Sequence, residues 1–195
     1  MTAVGCVVLD AMGVIFDAAD DVAELLIPFI GVSGGSIDHE LIRSRYIAAS
    51  LGTISPDDFW FSVGLDASVE DAYLKKHSLV RGALEFLRDA SNAGVPVWCL
   101  SNDIDRWSRK LRASFDIERL LTGAVISSDV KARKPGADIY RCLLHRSGHR
   151  AADMLFVDDR ADNVFAARNL GIHAIRFGAN VGYGEVAKAV FGKSV

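Results

Sequence analysis

Polar side chains that could carry out chemistry follow four separate apolar runs of the sequence. In chain order these side chains are Asp10; Ser101 and Asn102; Lys131, Arg133 and Lys134; and Asp158 and Asp159. Several carboxylates are costly to hold together unless a cation lies among them. Hard oxygen ligands of this kind suit Mg²⁺. If these residues meet in the folded chain, they predict a magnesium site that also contains a hydroxyl group and a lysine ammonium.

Strands of one sheet must bring these residues together. Short apolar runs predict five strands, at Val4–Leu9, Val95–Leu100, Gly123–Ser127, Met154–Val157 and Ile172–Phe177. Helical patterns alternate with these runs, which predicts an α/β fold with a doubly wound, mainly parallel sheet. Ligands of such a sheet bind beyond the carboxyl ends of its strands, and the polar residues all lie there.

The alternation fails between about Asp17 and Ser78, where the sequence is almost entirely helical in pattern. Ser55 followed by Pro56 and two acids is typical of a helix N-terminus. The sequence therefore predicts a core made of residues 1–16 and 79–195. It also predicts a helical insertion, residues 17–78, that leaves and rejoins the core beside Asp10.

The composition excludes several classes of partner. The 195 residues carry a net charge of −3 with acids and bases interleaved, unlike a nucleic-acid-binding or membrane-binding surface. Cys6, Cys99 and Cys142 are far apart in apolar surroundings, which favours reduced thiols in a cytosolic protein. The apolar N-terminus has no basic flank, which argues against a signal peptide. We expect a cytoplasmic protein with neither a nucleic-acid nor a membrane partner.

Four segments resemble the four motifs of the haloacid dehalogenase superfamily of hydrolases. They read VVLDAMGVIF, VWCLSND, SSDVKARKPGADIYRCLL and MLFVDDRADNVFAARNLG, and the resemblance covers nearly the whole chain. It implies a Rossmann-like core. It also implies that the insertion at residues 17–78 is the small α-helical cap of that family, which closes over the substrate.

The resemblance also implies roles for individual residues. Asp10 is expected to be the nucleophile, Ser101 to hydrogen-bond the phosphoryl group, and Lys134 to stabilise charge. Asn102 and Gly13 are expected to help bind the substrate. A small phosphorylated metabolite is the substrate class implied for a phosphatase of this family.

The metal site implied by the resemblance combines side chains with one backbone group. Asp10, Asp158 and Asp159 are expected to hold Mg²⁺ through carboxylate oxygens. The backbone carbonyl of Met12 is expected to complete this set of ligands.

Met12 is the departure from the family pattern. The family's phosphatases usually have an aspartate here, which protonates the leaving group and then activates water. A thioether has no proton to give. Another acid, such as Asp17 or a residue of the cap, could take over this role, but the sequence does not indicate which.

Three functions agree with these residues. The first is a Mg²⁺-dependent phosphatase that forms an aspartyl-phosphate on Asp10. The second is a 2-haloacid dehalogenase-like hydrolase, since halide leaves without protonation, although Asp158 and Asp159 then lack a metal. The third is a catalytically weakened regulatory or binding module, favoured by Met12 but opposed by the retained Asp10 and Lys134.

Overall fold

Five parallel strands form the centre of the protein in the computed structural model, which describes residues 4–178 and 180–192. Their order across the sheet is β3-β2-β1-β4-β5. The strands are β1 (Cys6–Leu9), β2 (Val97–Ser101), β3 (Gly123–Ile126), β4 (Met154–Asp158) and β5 (His173–Arg176). Both faces of β1 and β4 are buried, which explains why they are continuous apolar runs rather than alternating patterns.

Helices cover the sheet and form the insertion. The insertion contains a π-helical turn (Val22–Leu26) that leads into α1 (Ile27–Val32), then α2 (His39–Ser50), α3 (Pro56–Ser62) and α4 (Glu70–Leu74). The helices that follow are α5 (Ala83–Asn92), α6 (Asp105–Ser114), α7 (Ser127–Val130), α8 (Ala137–Ser147), α9 (Ala161–Asn169) and α10 (Tyr183–Phe191). No helix among residues 4–178 and 180–192 is long and apolar enough to cross a membrane.

The predicted α/β Rossmann-like, doubly wound parallel sheet is confirmed, and each strand lies within or next to its predicted run. The second strand begins at Val97 rather than Val95. The Val95 amide donates a hydrogen bond of 2.9 Å to the carbonyl of Ala90 and so closes the end of α5. The strand continues through Ser101, which places this hydroxyl on a fixed backbone.

Both ends of the insertion are joined by backbone hydrogen bonds. The Asp17 amide donates to the Ser78 carbonyl, and the Val80 amide to the Ile15 carbonyl, each at 2.9 Å. We propose on this basis that residues 17–78 form a cap domain and residues 1–16 and 79–195 the core. Residues 1–3, 179 and 193–195 of that proposed core lie outside the described residues.

A buried carboxylate fixes the insertion to helix α6. The Glu70 side chain is 3% exposed and pairs with Arg106 at 2.5 Å and Lys110 at 2.8 Å. It also accepts hydrogen bonds from the indole groups of Trp60 and Trp107. The insertion is therefore held over the carboxyl end of the sheet by ion pairs and hydrogen bonds to Glu70 together.

Candidate active site

Most of the polar residues that follow the strands line one cavity of about 330 Å³ between the sheet and the insertion. Asp158, which is fully buried, and Lys131, which is exposed, do not line it. The size of this cavity is that of a small-molecule site. The core contributes Asp10, Met12, Ser101, Asn102, Arg133, Lys134, Asp159, Arg160 and Asn163 to its lining. The insertion contributes Ala19, Asp20, Asp21, Val22, Arg43, Tyr46 and Ile47.

Lys134 lies between two buried carboxylates. Its Nζ is 2.6 Å from Asp10 Oδ1 and 2.7 Å from Asp158 Oδ2, and its side chain is 1% exposed. The lysine therefore balances part of the negative charge that the sequence brings together. An ammonium at this distance is also placed to stabilise charge on a group that reacts at Asp10.

Hydrogen bonds from neighbouring elements hold this arrangement in place. The Asn102 side chain donates to the Lys134 carbonyl at 2.9 Å and accepts from the Lys134 amide at 2.8 Å. The Asn163 side chain donates to both carboxylate oxygens of Asp158 at 3.0 Å, and the Arg160 amide adds a bond of 2.8 Å. Asn102 therefore positions the lysine, which is a different contribution from the substrate contact predicted for it.

Burial and mutual attraction shift the pKa values of this group. Burial raises the pKa of Asp10 well above its ordinary value, Lys134 opposes that rise, and Asp158 adds to it. Burial also disfavours the charged form of Asp158, but Lys134 outweighs it and holds the pKa of Asp158 low. Lys134 is itself desolvated, yet the two carboxylates raise its pKa and keep it charged.

Asp159 completes a group of three acids. One oxygen from each of Asp10, Asp158 and Asp159 lies within 4.8 Å of the others. Asp159 Oδ1 is buried and has no hydrogen-bond partner among the described residues. Burial and the Asp158 charge raise the pKa of Asp159. An unpartnered buried carboxylate oxygen beside two further acids fits a hard divalent cation such as Mg²⁺.

Gly13 makes room for Asp159. Its φ is +76°, and a Cβ placed on it would lie 2.8 Å from Asp159 Oδ2. The Gly13 amide donates to the Phe16 carbonyl at 2.8 Å. The structure therefore accounts for the glycine through backbone geometry and space, and its predicted contact with the substrate stays a prediction.

Met12 and Ser101 both line the cavity. Met12 is 9% exposed and packs in a hydrophobic cluster that also contains Val22 and Tyr46 of the insertion. Ser101 is 1% exposed at the end of β2. Asp17, which the sequence suggested as a substitute acid, is exposed and does not line this cavity.

Several lining residues were missed by the sequence analysis. They include the buried Asp21, and Tyr46, whose hydroxyl donates to the Asn102 carbonyl at 3.2 Å. Arg133 was noted as a charge behind the third strand, and it donates to Ser50 Oγ in helix α2. These contacts depend on how the insertion docks on the sheet, and no local pattern of the sequence reports that docking.

Comparisons with known proteins agree with the motifs. A family model described as haloacid dehalogenase-like hydrolase matches residues 4–171. The sesquiterpene phosphatase astK of Aspergillus oryzae is 27% identical over 129 residues, which are 62% of this chain and 66% of that protein. The drimenol cyclase drtB of Aspergillus calidoustus is 31% identical over 94 residues, 48% of this chain and 18% of that protein. The match therefore spans less than two thirds of either curated relative.

The fold agrees with that of a solved structure. The enzyme bt-2542 of Bacteroides thetaiotaomicron, in complex with magnesium and inorganic phosphate, superposes with a TM-score of 0.80 at 18% sequence identity. The alignment covers 94% of this chain and 99% of that protein. This likeness extends over the core and the insertion together, so the whole architecture is shared.

Proposed function

Because the chain belongs to the haloacid dehalogenase-like hydrolases, we propose that it is a Mg²⁺-dependent phosphatase of a small phosphorylated metabolite. The observation that carries this proposal is the placement of Asp10. This carboxylate lines a cavity of about 330 Å³, lies 2.6 Å from Lys134 and has two further acids beside it. Two relatives support the same reaction. The sesquiterpene phosphatase astK is similar in sequence, and bt-2542, which is similar in fold, was crystallised with magnesium and inorganic phosphate.

Asp10 is the proposed nucleophile. Its Oδ1 accepts hydrogen bonds from the Ala11 amide at 2.7 Å and from Lys134 at 2.6 Å. Those bonds fix the carboxylate through Oδ1, and the other oxygen, Oδ2, is the proposed attacking atom. Attack breaks the bond between phosphorus and the leaving oxygen and forms an aspartyl-phosphate, which water then hydrolyses. Lys134 stabilises negative charge on the transferring group, and Ser101 hydrogen-bonds it.

Asp10, Asp158, Asp159 and the carbonyl of Met12 are the residues proposed to hold Mg²⁺. When bound, the ion supplies Lewis-acid stabilisation of the phosphoryl oxygens. The orphaned oxygen of Asp159 is the feature of this chain that supports the proposal. Gly13 contributes by leaving space for that side chain.

The arrangement around Lys134 favours one second candidate, a metal-independent 2-haloacid dehalogenase-like hydrolase. Lys134 offsets part of the charge of Asp10 and Asp158, and Asn163 donates hydrogen bonds to both oxygens of Asp158. In that reaction Asp10 displaces halide from carbon, and Met12 needs no replacement because halide leaves unprotonated.

The cytoplasm is the proposed location. All three cysteines are free, and Cys6 and Cys99 are buried. Burial raises the pKa of both thiols to about 12, so neither ionises at neutral pH. Unpaired, unreactive thiols suit a reducing compartment. Neither a nucleic-acid nor a membrane partner is part of the proposal.

Phosphate release from a panel of phosphate monoesters, with Mg²⁺ and with EDTA, tests the proposed function. We expect release with Mg²⁺, none in EDTA and none from Asp10→Asn, whereas Asp138→Asn on the exposed face of α8 keeps wild-type activity. Halide release from a 2-haloacid in EDTA, without phosphate release from any ester, favours the second candidate. If the wild type releases neither phosphate nor halide, both candidate functions are overturned.

A further inference from the structure

Asp21 is an acid in the cavity that the mechanism has not used. It immediately precedes the π-helical turn that begins at Val22 and lines the same cavity as Asp10 and Lys134. Asp21 is 7% exposed, and its Oδ2 is buried with no hydrogen-bond partner among the described residues. A polar atom left in this state costs free energy unless a ligand, a proton or water satisfies it.

The other acids that line the cavity are already engaged. Asp10 belongs to the cluster around Lys134, and Asp159 belongs to the group of three acids that fits a metal. Asp20 is half exposed and pairs with Arg43 at 3.1 Å. Among the acids of the described residues that line the cavity, Asp21 is therefore the one that belongs neither to the metal group nor to an ion pair.

We propose that Asp21 is the general acid and base of this enzyme, the role that Met12 cannot fill. The inference rests on the proposed phosphatase function. It assigns proton transfer to the cap side of the cavity and nucleophilic attack to the strand side. A substrate bound between them then meets the nucleophile at phosphorus and the acid at its leaving oxygen.

The protons balance over the two steps. In the first step, Asp10 attacks phosphorus, the bond to the leaving oxygen breaks, and that oxygen takes the proton of Asp21. The products are an alcohol, the aspartyl-phosphate and an ionised Asp21. In the second step, water attacks phosphorus and gives one proton to Asp21, and the bond between phosphorus and Asp10 breaks. Inorganic phosphate leaves, and both aspartates return to their starting states.

The surroundings of Asp21 suit this role. Burial, together with the neighbouring Asp20, raises its pKa to about 7, against the lowering effect of backbone amides and of Arg133. A group with a pKa near the working pH can both donate and accept a proton. The other titratable groups around Asp21 are the Asp103 carboxyl and the hydroxyl groups of Tyr46 and Tyr73. Burial raises the pKa of each of them, and Asp21 adds to that rise.

Leaving-group dependence of the rate tests this inference in the wild type. An acid matters most when the leaving oxygen is a poor one, as in an alkyl phosphate, and least for 4-nitrophenyl phosphate. We expect the wild type to hydrolyse both at comparable kcat/KM in Mg²⁺. If the wild type hydrolyses the aryl ester well but the alkyl phosphate hardly at all, the enzyme has no proton donor for the leaving oxygen, and the inference is overturned.

Asp21→Asn sharpens the test, with Asp103→Asn as its matched control. Asp103 is 1% exposed and carries an equally raised pKa of about 7, but it does not line the cavity. For Asp21→Asn we expect kcat/KM on the alkyl phosphate to fall about 10²–10⁴-fold, with a much smaller loss on the aryl ester. Asp103→Asn should keep the wild-type ratio between the two esters.

A double variant separates chemistry from folding. Met12→Asp in the Asp21→Asn background restores an acid on the opposite wall of the cavity and should recover part of the alkyl phosphate activity. Equal losses on both esters, with no recovery in the double variant, would mean that Asp21 is structural. If Asp10→Asn also releases phosphate like the wild type, the proposed function itself fails, which is a separate outcome.

Discussion

Lys134 is the residue on which the acid cluster depends for charge balance. It contacts Asp10 and Asp158 at 2.6 and 2.7 Å, and all three side chains are more than nine-tenths buried. Removal of one partner from a buried ion pair leaves an uncompensated charge and costs about 3–5 kcal/mol. We expect Lys134→Met to lower the free energy of unfolding by that amount, measured in EDTA. In Mg²⁺ the same variant should release no phosphate.

Urea denaturation monitored by circular dichroism measures that change. Lys76→Met is the control, since Lys76 is exposed and forms no ion pair among the described residues, and its unfolding curve should match the wild type. Mg²⁺ should restore part of the stability of Lys134→Met, because the proposed ligands then regain a cation. A Lys134→Met protein as stable as the wild type in EDTA would show that the carboxylates are protonated instead.

Gly13 should control the affinity for Mg²⁺. Alanine at this position brings Cβ to 2.8 Å from Asp159 Oδ2, at a φ of +76°. Gly94→Ala is the matched control, because its φ is +68° and no atom lies within 4 Å of the added Cβ. Both variants carry the same left-handed backbone cost of about 1–2 kcal/mol. We expect only Gly13→Ala to need more Mg²⁺ for half-maximal activity, and equal requirements would disprove the role given to Gly13.

The buried acids Asp21 and Asp103 should make stability depend on pH. Both have their pKa raised from 3.8 to about 7, mainly by burial. Between about pH 4 and pH 7 the unfolded chain releases protons that the folded chain keeps, so the free energy of unfolding falls as pH rises. Asp103→Asn removes one of the two groups, and its stability should fall less over that range.

Urea midpoints of wild type and Asp103→Asn at a series of pH values measure this effect. The two proteins should diverge steadily between pH 4 and pH 7 and remain parallel above it. Parallel profiles throughout would mean that Asp103 titrates normally in the folded protein.

At the scale of elements, the contact between the insertion and helix α6 depends on Glu70. Glutamine keeps the shape of this residue but removes the charge that Arg106 and Lys110 contact. Hydrogen bonds to a charged group are worth about 1.5–3 kcal/mol, so Glu70→Gln should destabilise the protein by about that amount. The indole groups of Trp60 and Trp107 donate to Glu70, so tryptophan fluorescence should report the change.

Asp71→Asn provides the comparison for Glu70→Gln. Asp71 also contacts Lys110, at 2.7 Å, but its side chain is 71% exposed. An exposed ion pair contributes about 0–1 kcal/mol. Equal destabilisation by both variants would show that burial of Glu70 does not strengthen the contact.

The strands were predictable from the sequence, whereas the burial of Arg112 on helix α6 was not. Buried parallel strands are continuous apolar runs, so β1 and β4 stand out. Helix α6 reads DRWSRKLRAS, and its buried face includes Arg112 and Ser108 beside only two large apolar side chains. Arg112 is buried because Glu118 pairs with it at 2.5 Å, which no hydrophobic pattern reveals.

At the scale of the whole molecule, the strand side of the cavity was predictable and the cap side was not. Parallel strands deliver Asp10, Ser101 and Asp158 to one edge of the sheet in any fold of this topology. Asp21 becomes buried only because the insertion docks over that edge. Its sequence neighbours, Asp20 and Val22, give no sign that Asp20 stays half exposed while Asp21 is buried.

Rapid acid quench of the enzyme with an aryl phosphate and Mg²⁺, followed by peptide mass spectrometry, tests the central claim most directly. The account predicts that the peptide containing Asp10 gains the mass of one phosphoryl group before the first turnover ends. The gain should disappear in Asp10→Asn and in EDTA. Steady release of phosphate by an enzyme whose Asp10 peptide never gains mass at any quench time would contradict the account.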